Sequence, residues 1–146
     1  MQGTSLGGFI AATTAGLDRG YNQVFILLAG GDIYSVLMQG QRDAAKVRAE
    51  LQSTGLSDAE LKELMAAVEP LRLAQRVDAE KTWLYSGVFD NVVPLRNAEL
   101  FAAKAGLAEK HHIKMLANHY SGIIFLPPLL QDVRDHIFQE PKQVIP

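Results

Sequence analysis

Three short apolar runs, each ended by Gly, Asp or Asn, constrain the fold of this chain more than any other feature. They are QVFILLAGG at 23–31, TWLYSGVF at 82–89 and HIKMLAN at 112–118. Each run is rich in β-branched or aromatic residues, which is typical of strands buried on both faces of a parallel sheet. All are far shorter than the roughly 20 residues that a membrane-spanning helix needs. The runs therefore predict buried parallel strands and no membrane span.

Helical patterns fill the intervals between the strands. The predicted helices are Leu6 to Leu17, Asp43 to Leu51, one opened by the capping box Ser57-Asp58-Ala59-Glu60, one from Pro94 to Gly106, and Leu129 to Phe138 after a short helical turn. Strands that alternate with helices in this way favour right-handed crossovers. The pattern predicts an α/β fold with a parallel sheet of about three strands and flanking helices.

Charge and cysteine content exclude several classes of function. The chain of 146 residues carries 14 Lys and Arg against 16 Asp and Glu, and neither sign forms a block that could follow phosphates. Nucleic acid is therefore not an expected partner. The absence of cysteine excludes disulfides, thiolate metal sites and cysteine nucleophiles. The length suits one domain over residues 1–146, and the lack of a cation before Arg19 argues against a secretory signal, so we expect a cytoplasmic protein.

The pentapeptide Gly3-Thr4-Ser5-Leu6-Gly7 matches G-x-S-x-G, the nucleophile elbow. In such an elbow the serine stands on a tight turn at the start of a helix, where free amides favour developing negative charge. We expect a Cβ at either glycine to collide with the adjoining strand or helix. The alternatives are a chain terminus that is merely rich in Gly and Ser, and an ordinary strand-to-helix turn without chemistry.

A serine nucleophile needs a histidine to accept its proton and a carboxylate to orient that histidine. Asp90 directly follows the second apolar run and His119 follows the third, so both stand at carboxyl ends of predicted strands, where α/β sheets form ligand sites. The chain order is Ser, Asp, His. The alternative for Asp90 is a helix cap before Pro94, and for His119 a buried, hydrogen-bonded core residue.

Taken together, Gly3-Thr4-Ser5-Leu6-Gly7-Gly8, SGVFDNVVP and ANHYSG resemble the three catalytic segments of the α/β-hydrolase superfamily, in that family's order. The resemblance implies that Ser5 is the nucleophile, Asp90 the orienting acid, His119 the base and the Leu6 amide one oxyanion donor. It also implies an esterase-like serine hydrolase that acts on an acyl or ester bond of a small molecule and needs neither metal nor organic cofactor.

The resemblance covers essentially the whole chain but corresponds to the second half of a hydrolase domain. Only Met1 and Gln2 stand where the family has the strands that precede the elbow, and the loop that supplies its second oxyanion amide has no counterpart. The segment from Ile33 to about Glu69 occupies the place of a helical cap insertion. The alternative to an active esterase is therefore a catalytically incompetent half-domain that serves as an assembly or binding module.

The same reading predicts self-association. If the 23–29 strand lies beside an elbow strand reduced to two residues, its edge exposes unpaired amides and carbonyls. Such an edge favours pairing with another chain. We therefore expect a homo-oligomer, most simply a two-fold dimer.

Other polar clusters have structural interpretations. His111 and His112 are adjacent, so on a strand they point to opposite faces, and a solvated strand start is the expected role. Asp132 and His136 are spaced to face each other on the last helix as an exposed pair. Gly30-Gly31-Asp32 is expected to form a turn and a helix N-cap. None of these clusters predicts a metal site.

Overall fold

The computed structural model describes residues 1–138, with the backbone alone at positions 123 and 126. The fold is α/β, as predicted, and its sheet contains four parallel strands in the order β1-β2-β3-β4. The strands are β1 Gln2–Thr4, β2 Val24–Leu27, β3 Thr82–Gly87 and β4 His112–Met115. The helices are α1 Leu6–Leu17, α2 Ile33–Gln39, α3 Asp43–Ser53, α4 Asp58–Ala67, α5 Leu95–Ala105 and α6 Leu126–Phe138.

The fourth strand, β1, is a correction to the expected count of about three. Gln2 pairs with Phe25 and Thr4 with Leu27, and the Phe25 amide donates to the Met1 carbonyl at 2.9 Å. A three-residue strand is thus enough to cover the near edge of β2, because the adjoining residue adds one more hydrogen bond. Among the residues described, the edges without a strand partner are the outer edges of β1 and β4, and β2 is paired on both sides.

Both faces of β2 and β3 are buried, as predicted for the first two apolar runs, whereas the third run forms β4, which is only partly buried and exposes Lys114. Ile26 and Leu84 pack on the side that carries α1 and α5, whereas Phe25, Leu27 and Tyr85 pack on the side that carries α6. All five are less than 5% exposed. The alternation follows from the two-residue period of a strand, with apolar residues at both phases.

Local sequence signals explain where the helices begin. In α4 the Ser57 amide donates to Glu60 Oε2 at 2.8 Å and the Glu60 amide to Ser57 Oγ at 3.4 Å, so the predicted capping box is present. Helix α6 begins at Leu126, three residues earlier than predicted, and a 3₁₀ turn over Ser121–Phe125 precedes it. The two prolines at 127 and 128 fall in the first turn, where a missing N–H breaks no helical hydrogen bond.

The segment between β2 and β3 is helical, as expected for residues 33–69. It contains α2, α3 and α4, followed by 3₁₀ turns at Pro70–Arg72, Ala74–Arg76 and Ala79–Lys81. Asp32 is the N-cap of α2, and its Oδ1 accepts from the Ser35 amide at 3.2 Å, which confirms the expected turn and cap. Within residues 1–138 no helix combines the length and the apolar character that crossing a bilayer requires.

Candidate active site

Ser5 occupies a strained turn between β1 and α1. Its φ of 53° and ψ of −119° lie in a region that residues other than glycine rarely adopt. The Ser5 amide donates to the Leu27 carbonyl at 2.9 Å, and the Ser5 carbonyl accepts from the Gly8 amide at 2.8 Å. These bonds tie the turn to β2 and to the first turn of α1, so the surrounding structure holds the strained conformation.

The glycines beside the turn differ from the expectation in one respect. A Cβ on Gly3 would stand 2.0 Å from the Gly7 carbonyl oxygen, and one on Gly8 would stand 2.6 Å from Ala29 Cβ. A Cβ on Gly7 would meet nothing within 4 Å. The prediction for the second glycine of the motif was therefore wrong: Gly7 is open, and Gly8 is the residue at which α1 packs on β2.

Asp90 follows β3, and its two carboxylate oxygens have separate partners. Oδ1 accepts from the Val92 amide at 2.8 Å and from the Val93 amide at 2.9 Å, while Oδ2 is 2.7 Å from His119 Nδ1. Asp90 closes the turn that leads to α5, although the N-cap of that helix is Pro94. One oxygen thus fixes the loop, and the other is left to hold the histidine.

His119 joins Ser5 to Asp90. Its Nε2 lies 2.9 Å from Ser5 Oγ and its Nδ1 lies 2.7 Å from Asp90 Oδ2. Because a carboxylate only accepts, Nδ1 donates to Asp90, and Nε2 of the neutral ring then accepts from the serine hydroxyl. The His119 side chain is 8% exposed and that of Asp90 is 1% exposed. The arrangement can draw a proton from Ser5 onto a ring that a buried carboxylate orients.

Leu6, the expected oxyanion donor, is the first residue of α1. No acceptor in the described part of the chain receives a hydrogen bond from its backbone N–H. An N–H at this position carries part of the positive end of the helix dipole. It can therefore donate to an anion that forms beside Ser5.

A cavity of about 330 Å³ adjoins the site and touches His119 and Thr4. The rest of its lining is chiefly apolar and comes from β2 and the residue after it, from β4 and α6, and from the loop that carries His119; the residues are Leu27, Leu28, Met115, Leu129, Tyr120 and Gly122. Leu28 adopts a positive φ of 51°. Apart from His119, the sequence predicted none of the lining residues, because strands and a distant helix combine to form the cavity.

The sequence also did not predict that Tyr120 and Asp43 lie beside the site. The Tyr120 hydroxyl donates to Asp43 Oδ2 at 2.6 Å across 77 residues of sequence, so no local pattern signals the contact. The hydrogen bond from Tyr120 lowers the pKa of Asp43, and the same bond raises the pKa of Tyr120. Both shifts favour a protonated phenol donating to an ionised carboxylate.

The expectation of a solvated strand start was wrong for His111. This residue is 2% exposed, and its ring stacks on Trp83 with 4.1 Å between ring centroids. His111 Nδ1 donates to the Thr82 carbonyl at 3.0 Å, whereas Nε2 of the neighbouring His112 lies 2.8 Å from Ser86 Oγ. The large indole of the adjacent strand buries a position that the sequence alone marks as polar.

Asp132 and His136 face each other, with 3.4 Å between Oδ1 and Nδ1, but they are not simply an exposed pair. The His136 ring packs on Trp83 with centroids 3.7 Å apart, and Asp132 Oδ2 accepts from the Tyr85 hydroxyl at 2.5 Å. Burial, and then that bond, raise the pKa of Tyr85. The pair therefore anchors α6 to the sheet. Within residues 1–138 no group of three or more candidate ligands is arranged to hold a metal ion.

Comparison with known proteins shows a fold that this chain shares with solved structures. No family model and no curated protein matches the sequence. Among solved structures, the chain is similar to TT1662 from Thermus thermophilus, at 13% identity and a TM-score of 0.63. The match covers 95% of this chain and 54% of TT1662, so the chain spans about half the length of that protein. At this level of identity the likeness shows the α/β fold alone.

Proposed function

We propose that this chain is an esterase-like serine hydrolase of the α/β-hydrolase superfamily. In this proposal Ser5 is the nucleophile, His119 the general base and Asp90 the acid that orients it. The single observation that carries the proposal is the pair of hydrogen bonds from Ser5 through His119 to Asp90, at 2.9 and 2.7 Å. The strained backbone of Ser5 adds support, because strain of this kind is concentrated at functional sites.

The proposed reaction has two halves. Ser5 Oγ attacks the carbonyl carbon of an ester while its proton passes to His119 Nε2, which then protonates the departing alcohol and leaves an acyl group on Ser5. A water molecule gives a proton to the same nitrogen and attacks the acyl carbon. The carboxylic acid leaves, and His119 returns the proton to Ser5. Each step uses only protein groups, substrate and water, so the cycle needs no metal or organic cofactor.

Two groups, Asp90 and the Leu6 amide, stabilise the charges that develop in this mechanism. Asp90 keeps the Nδ1 proton in place and stabilises the imidazolium that forms when Nε2 is protonated. The Leu6 amide donates to the oxyanion of the tetrahedral intermediate, with the N-terminus of α1 behind it. One oxyanion donor is typically worth about 2.7–4 kcal/mol of transition-state stabilisation.

The expected substrate is a small ester with an apolar group. The cavity of about 330 Å³ supports this, since it touches His119 and presents leucine and methionine side chains. We further propose that the chain is one domain over residues 1–146 in which residues 33–69 act as a helical cap, and that it works in the cytoplasm without membrane or nucleic-acid partners.

A fluorophosphonate probe tests the proposal, because it reacts with a serine only when an adjacent base activates the hydroxyl. Mass spectrometry should find the probe on Ser5 and on none of the other serines, and Ser5→Ala should remain unlabelled. The other serines are Ser35, Ser53, Ser57, Ser86 and Ser121. A pure, folded sample that does not react would exclude an active hydrolase.

The second candidate is a catalytically silent assembly or binding module. One observation favours it: the large apolar side chains Leu6, Ile10 and Leu17 of α1 are 60 to 70% exposed. Exposed apolar surface of this kind marks contact sites on many proteins. A folded chain that self-associates but does not react with the probe would favour this candidate over the esterase.

A further inference from the structure

Two catalytic loops of the proposed site contact one short connection. The connection is the α2–α3 loop, defined here as residues 40–43, and it leads from α2 into the first residue of α3. It contacts the loop after β3, which carries Asp90, and the loop after β4, which carries His119. None of the residues of the α2–α3 loop belongs to the Ser5, His119 and Asp90 set itself.

The first contact fixes the Asp90 loop. The Gln41 amide donates to the Asn91 carbonyl at 2.8 Å, and Asn91 Nδ2 donates to Gln41 Oε1 at 3.0 Å. Next to this pair, Gly40 approaches so closely that a Cβ on it would stand 2.5 Å from the Val92 carbonyl oxygen. The loop therefore packs against the residues that immediately follow Asp90 in sequence.

The second contact fixes the His119 loop. The Tyr120 hydroxyl donates to Asp43 Oδ2 at 2.6 Å, and the Arg42 guanidinium lies over the Tyr120 ring, 5.1 Å from its centroid. The His119 and Tyr120 rings meet edge to face, with centroids 5.6 Å apart and an interplanar angle of 76°. A group that fixes the Tyr120 ring therefore limits how the imidazole can turn.

Backbone geometry indicates that the contact is specific. Arg42 has a φ of 53° and a ψ of −110°, an unfavourable conformation for a residue with a side chain. Such a conformation persists only where surrounding contacts outweigh its cost. At Arg42 those contacts are the bonds of Gln41 and Asp43 on either side of it.

We propose that the α2–α3 loop positions the catalytic groups, with Asp43 and Tyr120 as positioning residues that hold the His119 imidazole in line with Asp90 and Ser5. The consequence for catalysis rests on the proposed function, whereas the orientation of the imidazole does not. The first two residues of the α2–α3 loop contact the Asp90 loop and the last two contact the His119 loop. A movement of α2 and α3 therefore shifts Asp90 and His119 together. Helices α2 and α3 are thereby coupled to the groups that react.

Three variants and one matched control test this proposal in the full chain. Tyr120→Phe removes one hydroxyl and keeps the ring, Asp43→Ala removes the acceptor, and the third variant combines the two. Lys46→Met is the control, because Lys46 Nζ is the other partner of Asp43, at 3.4 Å, and its loss leaves the Tyr120 bond intact. Thermal melting curves establish that each variant is folded.

Two readouts are needed. The first is the rate of Ser5 labelling by the fluorophosphonate, which should fall by about three- to tenfold in Tyr120→Phe and Asp43→Ala, as expected for the loss of one hydrogen bond. The combined variant should be no slower than either single one, because both remove the same bond. The second is the exchange with solvent of the His119 Nδ1 proton, measured by NMR, which should be faster in these variants than in Lys46→Met.

The outcomes separate this proposal from the proposed function. Unchanged exchange in Tyr120→Phe and Asp43→Ala would overturn the positioning role, and so would a labelling rate that falls equally in Lys46→Met. If the unaltered chain is not labelled at all, the esterase proposal fails. The exchange of the His119 Nδ1 proton then decides whether the α2–α3 loop orients the imidazole. Faster exchange in that case still supports a loop that orients His119.

Discussion

Ser5 Oγ lies 2.9 Å from His119 Nε2, although the two residues are 114 positions apart and follow the two outermost strands of the described sheet. Neighbouring strands are about 4.8 Å apart, so three spacings separate β1 from β4. The His119 loop crosses that distance by folding back over β3. The Phe89 amide donates to the Ala117 carbonyl at 3.0 Å. A Cβ on Gly87 would stand 2.6 Å from the same carbonyl oxygen, so this close approach requires glycine.

The first prediction concerns which histidine reacts. His119→Ala should slow fluorophosphonate labelling of Ser5 by at least about a thousandfold, because no other imidazole bonds to the hydroxyl. His112→Gln is the matched control and should react near the unaltered rate, since His112 contacts Ser86 and not Ser5. Equal losses in the two variants would mean that His119 is not the base.

The second prediction concerns the carboxylate. Asp90→Asn should lower ester turnover by about 10⁴-fold, the value known from a serine protease, because an amide favours the wrong imidazole tautomer. Its Oδ1 can still accept from the Val92 and Val93 amides, so the melting temperature should stay close to that of the unaltered chain. A turnover loss accompanied by a collapsed melting temperature would assign Asp90 to the turn alone.

The third prediction separates the glycines of the elbow. Gly3→Ala and Gly8→Ala should each lower the free energy of unfolding by about 1–3 kcal/mol or more, because the added methyl group enters occupied space. Gly7→Ala should raise it by up to about 1 kcal/mol, since the position is open and helical. Denaturant unfolding measures all three. Equal losses at the three positions would show that the turn tolerates no side chain at all.

Much of the fold could be predicted from local signals. Local signals of this kind are the capping box of Ser57 and Glu60, the helix from Leu6 to Leu17 and the apolar runs that form the buried strands β2 and β3. Strand β1 was not counted among the predicted strands, because three residues are too few to show the alternation of apolar and polar side chains that marks a strand. The burial of His111 was missed because it depends on Trp83, a residue of the adjacent strand.

For the candidate site, the sequence pointed to the ends of strands and could go no further. The order Ser, Asp, His and the strand-end positions follow from local patterns. The close approach of Gly87 to Ala117 and the bond between Tyr120 and Asp43 both join distant segments. Such contacts depend on how loops pack, and a single sequence carries no signal of that packing.

The fourth prediction is a pH dependence of stability. Burial, with a smaller contribution from the nearby Lys114 charge, lowers the pKa of His112 below its ordinary value of 6.5. As pH falls below about 6.5, the unfolded chain therefore protonates His112 before the folded chain does. The contribution of a neutral His112 to the free energy of unfolding is present above pH 6.5 and is lost as pH falls through the pKa of the folded chain. The difference in unfolding free energy between about pH 7.5 and about pH 5.5 should shrink in His112→Gln. An identical difference in both proteins would contradict the prediction.

The last prediction is a two-fold dimer formed through α1 and the outer edge of β1. Leu6, Ile10 and Leu17 share one face of α1 and are 60 to 70% exposed. Helix α1 directly follows β1, and no strand of the described residues pairs with the outer edge of β1. Apolar side chains next to unpaired amides and carbonyls favour contact with a second copy, and closed pairs are the commonest symmetric assembly.

Light scattering at micromolar concentration measures the dimer directly. Ile10→Lys and Leu17→Lys should each weaken it by at least about tenfold, equivalent to about 1.4 kcal/mol, since a charge would be buried against an apolar face. Leu100→Lys is the matched control, because Leu100 is 43% exposed on α5, away from β1. Ser5 labelling should be unchanged in the monomeric variants if each chain holds its own complete site. An unaltered chain that is monomeric throughout the micromolar range would show that the α1 face is not a contact between copies.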